Sequence, residues 1–267
     1  MKEKVKIIVA THKKYEMPED SIYLPLQVGA EGKESLGYIG DNTGNNISEK
    51  NSSFCELTGL YWAWKNLNAE YIGLVHYRRY FIFKNGLVQK LHPSIENVLS
   101  SLQATKLVLH YDVVVPRKQH YVVETLYSHY AHTHYKEHLD KTREIISQKY
   151  PEYVADYDWT VSQRSGYMFN MFIMNRELLN DYCSWLFDIL FELENQIKDE
   201  RLSPFQSRLY GRVSEIIFNC WLNHNRKEKK LKVKEIPYIY LGKVRWGKKI
   251  VAFLKAKVVH KKYEGSF

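Results

Sequence analysis

The chain has 267 residues and a formal charge of +9. Residues 226–262 hold 14 Lys and Arg against Glu228 and Glu235, a local balance of +12, while residues 1–225 hold 25 against 27 acids, or −2, and Glu264 supplies the last −1. A general nucleic-acid binder carries positive charge through its body, so this pattern argues against that class; the 45% hydrophobic content argues against wholesale disorder, and no apolar run approaches the ~20 residues of a membrane span.

The N-terminus has only the short apolar run at residues 7–10 behind it, so no signal peptide is expected. Cys55, Cys183 and Cys220 are odd in number, far apart and form no CxxC pair. Three buried thiols in predicted helices, in a reducing cytosol, is the plain reading.

In chain order, residues 4–10 are short, β-branched and apolar, and predict a first strand. Residues 29–51, rich in Gly, Asn and Asp, predict a loop. Ser53 and Glu56 match a capping box, with Phe54, Leu57, Leu60, Tyr61, Trp64 and Leu67 following at helical spacing. A buried strand over 71–75 runs into His76-Tyr77-Arg78-Arg79-Tyr80. A helix is expected over 93–102, a strand over 106–115 and a long helix over 122–149 that ends before Pro151. Residues 167–174 predict a strand, 176–196 and 207–223 two apolar helices, 232–240 a last strand and 243–262 a last helix.

Alternating strands and helices predict a mostly parallel sheet with helices on both faces. Ligands of such sheets sit beyond the carboxyl ends of the strands. Residues 11–14, 76–80 and 116–118 fall at such ends and are rich in cations, which suits an anionic ligand such as phosphate.

Arg78 and Arg79 stand just past a buried strand and need an anion or a carboxylate. On an extended strand they point to opposite sides, so one faces the cleft and the other binds protein; a structural Arg–carboxylate network is the alternative. Asp41, in the 37–51 loop, could accept from ribose hydroxyls, against the plainer reading of a surface loop. No GxGxxG or GxxxxGK[ST] occurs. His129, His132, His134 and His138 lack the carboxylate or cysteine of a familiar zinc spacing, so a polar helix face with one substrate-contacting histidine is favoured. Asp156-Tyr-Asp158 is the chain's DxD, able to hold Mg²⁺ or Mn²⁺, but it follows a poor strand and the structural reading leads. Glu215, near a helix start, could be a general base, or simply favour the helix dipole. The 21 tyrosines and 6 tryptophans suit sugar stacking and core packing equally. Across 243–262, Trp246, Ile250, Phe253 and Leu254 oppose Arg245, Lys248, Lys249 and Lys255, a basic amphipathic helix suited to an anionic membrane surface.

The runs Gly40-Asp-Asn-Thr-Gly44, Asn46-Ile-Ser-Glu-Lys-Asn51, Cys55-Glu-Leu-Thr-Gly-Leu-Tyr-Trp-Ala-Trp-Lys-Asn66, Gly73-Leu-Val-His-Tyr-Arg-Arg-Tyr80 and Asn170-Met-Phe-Ile-Met174 resemble a bacterial family from capsule and exopolysaccharide gene clusters. It was formerly a domain of unknown function and is now treated as glycosyltransferases. The resemblance implies an α/β fold with a GT-A-like (Rossmann-like), mostly parallel sheet over residues 1–240, with 241–267 as a basic amphipathic tail. It implies inverting transfer of a hexose from a nucleotide donor, UDP-galactofuranose being one candidate, to a lipid-linked or growing polysaccharide. The enzyme would be peripheral on the cytoplasmic face of the membrane, held through residues 243–262. An aspartate often stands in the family where this chain has Asn45, which puts Asp41 forward instead.

The resemblance sets Glu215 as catalytic base. Thr11, His12, Lys13, Asp41, Asn42, His76, Arg78 and Arg79 would hold the nucleotide, and His129, Tyr167 and Asn170 the acceptor. Cations at 76–79 stand where such folds put a DxD, so no cofactor is expected, with Mn²⁺ or Mg²⁺ on Asp156 and Asp158 as the alternative. A non-catalytic nucleotide-sugar or polysaccharide-binding module is the competing function.

Overall fold

The computed structural model describes residues 3–83, 93–197 and 201–242. The expected helix at 243–262, and with it the membrane-binding face, lies outside the described residues.

β1 (Glu3–Thr11), β2 (Tyr23–Gln27) and β3 (Ile39–Gly40) open the chain. After α1 (Asn51–Phe54) and α2 (Leu57–Asn66) come β4 (Ala69–His76) and β5 (Arg79–Phe81). Then follow α3 (Ser101–Val108), β6 (Val113–Pro116), β7 (Gln119–His120), α4 (Leu126–Thr133), α5 (Glu137–Lys149) and α6 (Val154–Ser162). β8 (Ser165–Gly166), β9 (Phe172–Asn175), α7 (Arg176–Ile197), α8 (Leu209–Glu228), β10 (Val233–Ile236) and β11 (Tyr238–Tyr240) complete it. Among the described residues no helix is long and apolar enough to cross a membrane.

The main sheet runs β10-β6-β9-β4-β1-β2-β3, with β5 and β11 paired off its path. Every neighbour on that path is parallel except β9, which is antiparallel to both β4 and β6. The mostly parallel sheet expected from the alternation is present.

Its strands read as continuous apolar runs because both faces are covered. Ile8, Ala10, Leu74, Val113, Val115, Phe172 and Met174 face the larger core under α2, α7 and α8. Their alternates Ile7, Val9, Val75, Val114 and Ile173 face a smaller core closed by α3, β5 and β11. Gly73 is required where β4 meets β9, since a Cβ there would lie 2.9 Å from the Phe172 carbonyl oxygen.

Three local expectations change. The helix expected from a Ser53–Glu56 capping box is two helices: Cys55 takes φ +55 between them, and the Ser53 hydroxyl donates to the Lys50 carbonyl instead. The helix over 93–102 is one 3-10 turn (Ile95–Asn97), and the strand over 106–115 gives way to α3 in its first part. A real capping box, Ser100 with Gln103, starts that helix at Ser101, ahead of Lys106, and overrides the β-branched signal. The long helix over 122–149 is α4 and α5. Thr125 and Ser128 cap the first, and His134 leaves the helical region at φ −134, ψ −167.

Arg176 ties the layers together. Its guanidinium donates to the Trp64 and Leu67 carbonyls at 2.9 Å each, meeting the orphan acceptors at the end of α2.

Candidate functional site

The site begins with the turn after β4. His76 pairs with Arg79 across the antiparallel β4–β5 hairpin, and Arg79 pairs with Tyr240 on β11. Directly opposed residues share a face, so His76, Arg79 and Tyr240 look one way while the turn residues Tyr77 and Arg78 look another. The turn is held at both ends, by Tyr77 N–H on the Ala10 carbonyl (3.2 Å) and Leu241 N–H on the Arg78 carbonyl (2.7 Å).

The two arginines stand on a turn rather than on the continuing strand expected, and both reach Tyr240. The Arg79 guanidinium lies 4.3 Å from the Phe169 ring centre and 5.5 Å from that of Tyr240. Arg78 lies over Tyr77 (5.3 Å) and Tyr15 (5.8 Å), donates weakly to the Tyr240 hydroxyl at 3.4 Å, and buries its Nε without a partner. Neither forms an ion pair with a carboxylate among the described residues. The Arg–carboxylate network is not the arrangement seen.

Opposite Arg79 stands a buried polar cluster. Glu215, on the second turn of α8, accepts from the Phe169 N–H at 3.1 Å. The Phe169 carbonyl accepts from His76 Nε2 at 2.5 Å, which places the ring proton on Nε2. Asn170 Nδ2 donates to Glu56 Oε1 (2.7 Å) and to the Gly211 carbonyl (3.1 Å), while its Oδ1 accepts from Ser214 Oγ (3.0 Å). Phe169 and Asn170 make this possible by taking φ +76 and +51 in succession, a conformation that costs a non-glycine residue about 1 kcal/mol or more.

Burial pushes the Glu215 carboxyl up to about 7, and the neighbouring Glu56 carboxylate adds to the effect against the opposing pull of Arg79. A group poised there holds or takes a proton near neutral pH. Burial also lowers the His76 pKa, with Glu56 opposing, so the imidazole is neutral. Burial raises the Cys55 thiol to about 11, which rules out a thiolate nucleophile at neutral pH. Arg208 donates to that sulfur at 3.2 Å.

The β1 end adds cations. His12 packs edge-on to Tyr77 (5.3 Å), and the Lys13 ammonium sits 5.6 Å from the same ring. Desolvation lowers the His12 pKa, followed by the charges of Lys13, Arg208, Lys33 and Arg78. The β1 and β4 ends thus form one electropositive rim. Thr11 lies beneath it, fully buried, its hydroxyl spent on the Lys13 carbonyl at 2.6 Å.

Other expected residues lie elsewhere or are already occupied. Asp41 is fully buried; one oxygen accepts from Gly29 N–H (2.8 Å) and Thr58 Oγ1 (2.5 Å), the other from Ala30 N–H (3.0 Å) and Ser48 Oγ. With both oxygens engaged, it shapes the 29–51 loop and does not face a ribose. Asn42 is exposed beside it. Asp156 accepts from Asn223, His224 and Lys227, and Asp158 from Arg143, so the DxD sits on a helix with its two carboxylates drawn apart. His129 and His132 share Glu124, and His134 contacts Gln206; the described residues contain no group of three or more side chains able to hold a metal. His129 Nδ1 is engaged by Glu124 at 3.0 Å, and its ring lies 4.2 Å from that of Tyr121. Tyr167 and Asn170 do adjoin the cluster, through the segment that enters β9.

Glu56 and Phe169 are site residues that the sequence does not single out. Glu56 is the fourth residue of the Ser53 capping-box pattern, yet its partner, Asn170, is 114 residues away. The detectable signal was Asn170, a residue type that tolerates positive φ, in a run otherwise fit for a strand.

Comparison with known proteins follows the same architecture. No curated protein matches this chain. A solved structure described as the WbbM bifunctional glycosyltransferase in its apo form superposes with a TM-score of 0.82 at 30% identity over 90% of this chain. The chain spans 46% of that protein's length. The model of a family described as a domain of unknown function, DUF4422, matches residues 6–226, and the chain belongs to that family.

Proposed function

We propose that this chain is an inverting glycosyltransferase with a GT-A-like fold, moving a hexose from a nucleotide donor to a glycan acceptor. The observation that carries this is the placement of Glu215, its pKa raised to about 7, beside an arginine that has no carboxylate partner among the described residues. The likeness to a bifunctional glycosyltransferase supports it.

The chemistry follows from the two sides of the cleft. Arg79, presented by the hairpin and held between aromatic rings, meets the donor diphosphate; Arg78 and His12 extend the positive rim toward the nucleotide. These cations stabilise negative charge as the nucleoside diphosphate departs. Glu215 offers its second oxygen, which makes no hydrogen bond among the described residues, to an acceptor hydroxyl. It removes that proton as the hydroxyl oxygen bonds to the anomeric carbon and the bond to diphosphate breaks. His76 and Asn170 position the segment that orients Glu215.

UDP-hexose is the donor class we assign, UDP-galactofuranose being one candidate, and a lipid-linked or growing capsular or exopolysaccharide chain the acceptor. Work at the cytoplasmic face of a membrane would be aided by the basic residues of 243–262. Transfer is assigned as metal-independent: the cations of the hairpin take the place of a divalent ion. A screen for UDP release across nucleotide sugars, with and without EDTA, tests all of this. Release unaffected by EDTA and lost in Glu215→Gln is the expected result. Full loss in EDTA restored by Mn²⁺ would remove the metal-independent step, and donor binding without any release would favour a non-catalytic module.

A further inference from the structure

A second concavity lies beside the Glu215 cluster, between α6, β8 and α8. Lys118, Trp159, Thr160, Tyr167, Asn219 and Arg226 form much of its wall, and among the described residues no Asp or Glu lines it. Its floor is joined rigidly to the proposed base. The Asn219 amide accepts from Tyr167 N–H (2.7 Å) and donates to the carbonyls of Tyr167 (2.9 Å) and Glu215 (2.7 Å).

Three features of the wall are unexplained by folding. Trp159 leaves 48% of its surface in solvent on a helix that otherwise buries its aromatic residue, Tyr157, and its one cation neighbour among the described residues, the Lys227 ammonium 6.0 Å from the ring centre, is engaged with Asp156. Thr160 is 1% exposed and its hydroxyl has no hydrogen-bond partner, an arrangement proteins normally avoid. Arg226 and Lys118 have no carboxylate partner among the described residues; the Lys118 ammonium rests 5.0 Å from the Tyr167 ring centre. An exposed indole face fits the apolar face of a pyranose ring. Glu235 stands behind the wall, its Oε1 taken by the Tyr167 hydroxyl at 2.6 Å, and neither Arg226 nor Lys118 forms an ion pair with it; two cations without an ion-pair partner among the described residues fit a carboxylate on that ring.

We propose that this depression is an acceptor subsite for an acidic sugar, a hexuronate, which stacks on Trp159 with its carboxylate on Arg226 and Lys118. This rests on the transferase reading for its role: the uronate would lie along the acceptor from the hydroxyl that Glu215 deprotonates. The binding itself is independent of turnover and can be measured alone.

The test is ligand-observed NMR on the full chain with methyl β-glucuronide and methyl β-glucoside, using wild type, Trp159→Ala and Arg226→Gln. Both side chains are at the surface, and circular dichroism of each variant confirms the fold. The glucuronide should bind at least about tenfold more tightly than the glucoside, and each substitution should weaken it by about tenfold. Equal binding of the two glycosides, or wild-type binding by both folded variants, would overturn the subsite. UDP release on the same protein separates the two claims. Release without glucuronide binding removes the subsite and leaves the transferase; binding without release does the reverse.

Discussion

Two carboxylate pairs on this molecule behave in opposite ways. Asp156 and Asp158 look like a metal motif in sequence, yet each is neutralised by its surroundings. Burial alone would raise Asp156, but hydrogen bonds from Lys227 and His224 outweigh it and hold its pKa low; the Arg143 hydrogen bond holds Asp158 low. Glu56 and Glu215 have no motif and lie 159 positions apart, yet burial and mutual repulsion leave Glu215 near 7. Compensated charge serves the fold. Charge left under-compensated at a strand-end cleft is where a proton can be exchanged.

Glu215→Gln removes the proton acceptor of the under-compensated pair. Transfer should fall by roughly 10³-fold in a UDP-release assay while UDP affinity stays within about threefold, since a lost base costs ~10²–10⁴ in rate. Arg79→Ala should weaken UDP binding by roughly 10- to 100-fold by calorimetry, the loss expected for a charge-assisted contact of ~1.5–3 kcal/mol.

Glu56→Gln separates burial from repulsion as causes of the raised Glu215 pKa. The glutamine keeps an acceptor for Asn170 but removes the like charge. Because Glu215 acts as base only when deprotonated, wild-type transfer should rise with pH through about 7. In Glu56→Gln that limb should move to lower pH, with little change on the alkaline plateau. An unmoved limb would mean that burial alone sets the Glu215 pKa.

Asp156→Asn should leave transfer within about twofold but lower Tm by a few degrees, as expected for a loss of ~1–2 kcal/mol in a chain of this size. Its folded pKa is depressed, so its bonds stabilise the fold above the ordinary carboxylate range. That contribution disappears as pH falls through the folded value. The Asp156→Asn chain should therefore lose less stability than wild type on acidification, read by urea midpoints. Asp158→Asn breaks an exposed pair with Arg143 and should cost less than about 1 kcal/mol.

The sheet was legible because its strands carry local signals: Ile7–Ala10, Ile72–Val75 and Phe172–Met174 are apolar on both alternations. The end of α5 before Pro151 and the span of α7 were legible for similar reasons. Helix starts were harder. Ser53 with Glu56 and Ser100 with Gln103 have the same capping spacing, and only the second caps a helix. What separates them is long-range: Glu56 is drawn to Asn170, and Cys55 reverses its φ to allow it. The candidate site was half legible. Glu215, His76 and Arg79 follow from position near helix and strand ends, whereas Glu56 and the bent Phe169–Asn170 segment depend on contacts no spacing encodes. Asp41 misled because a loop aspartate serving its own backbone looks, in sequence, like one serving a ligand.

β9 runs against β4 and β6, so its entry rather than its exit reaches the edge where Glu215 stands. The chain leaves β9 at the far edge and passes at once into α7. The two ends of this short strand should therefore tolerate change unequally. One residue added before Phe172 would pull the Phe169 amide off Glu215 and the Phe169 carbonyl off His76 together, whereas one added between Asn175 and Arg176 would leave both in place and cost stability instead, through the Asn175 cap on the Leu178 N–H and the Arg176 contacts with α2.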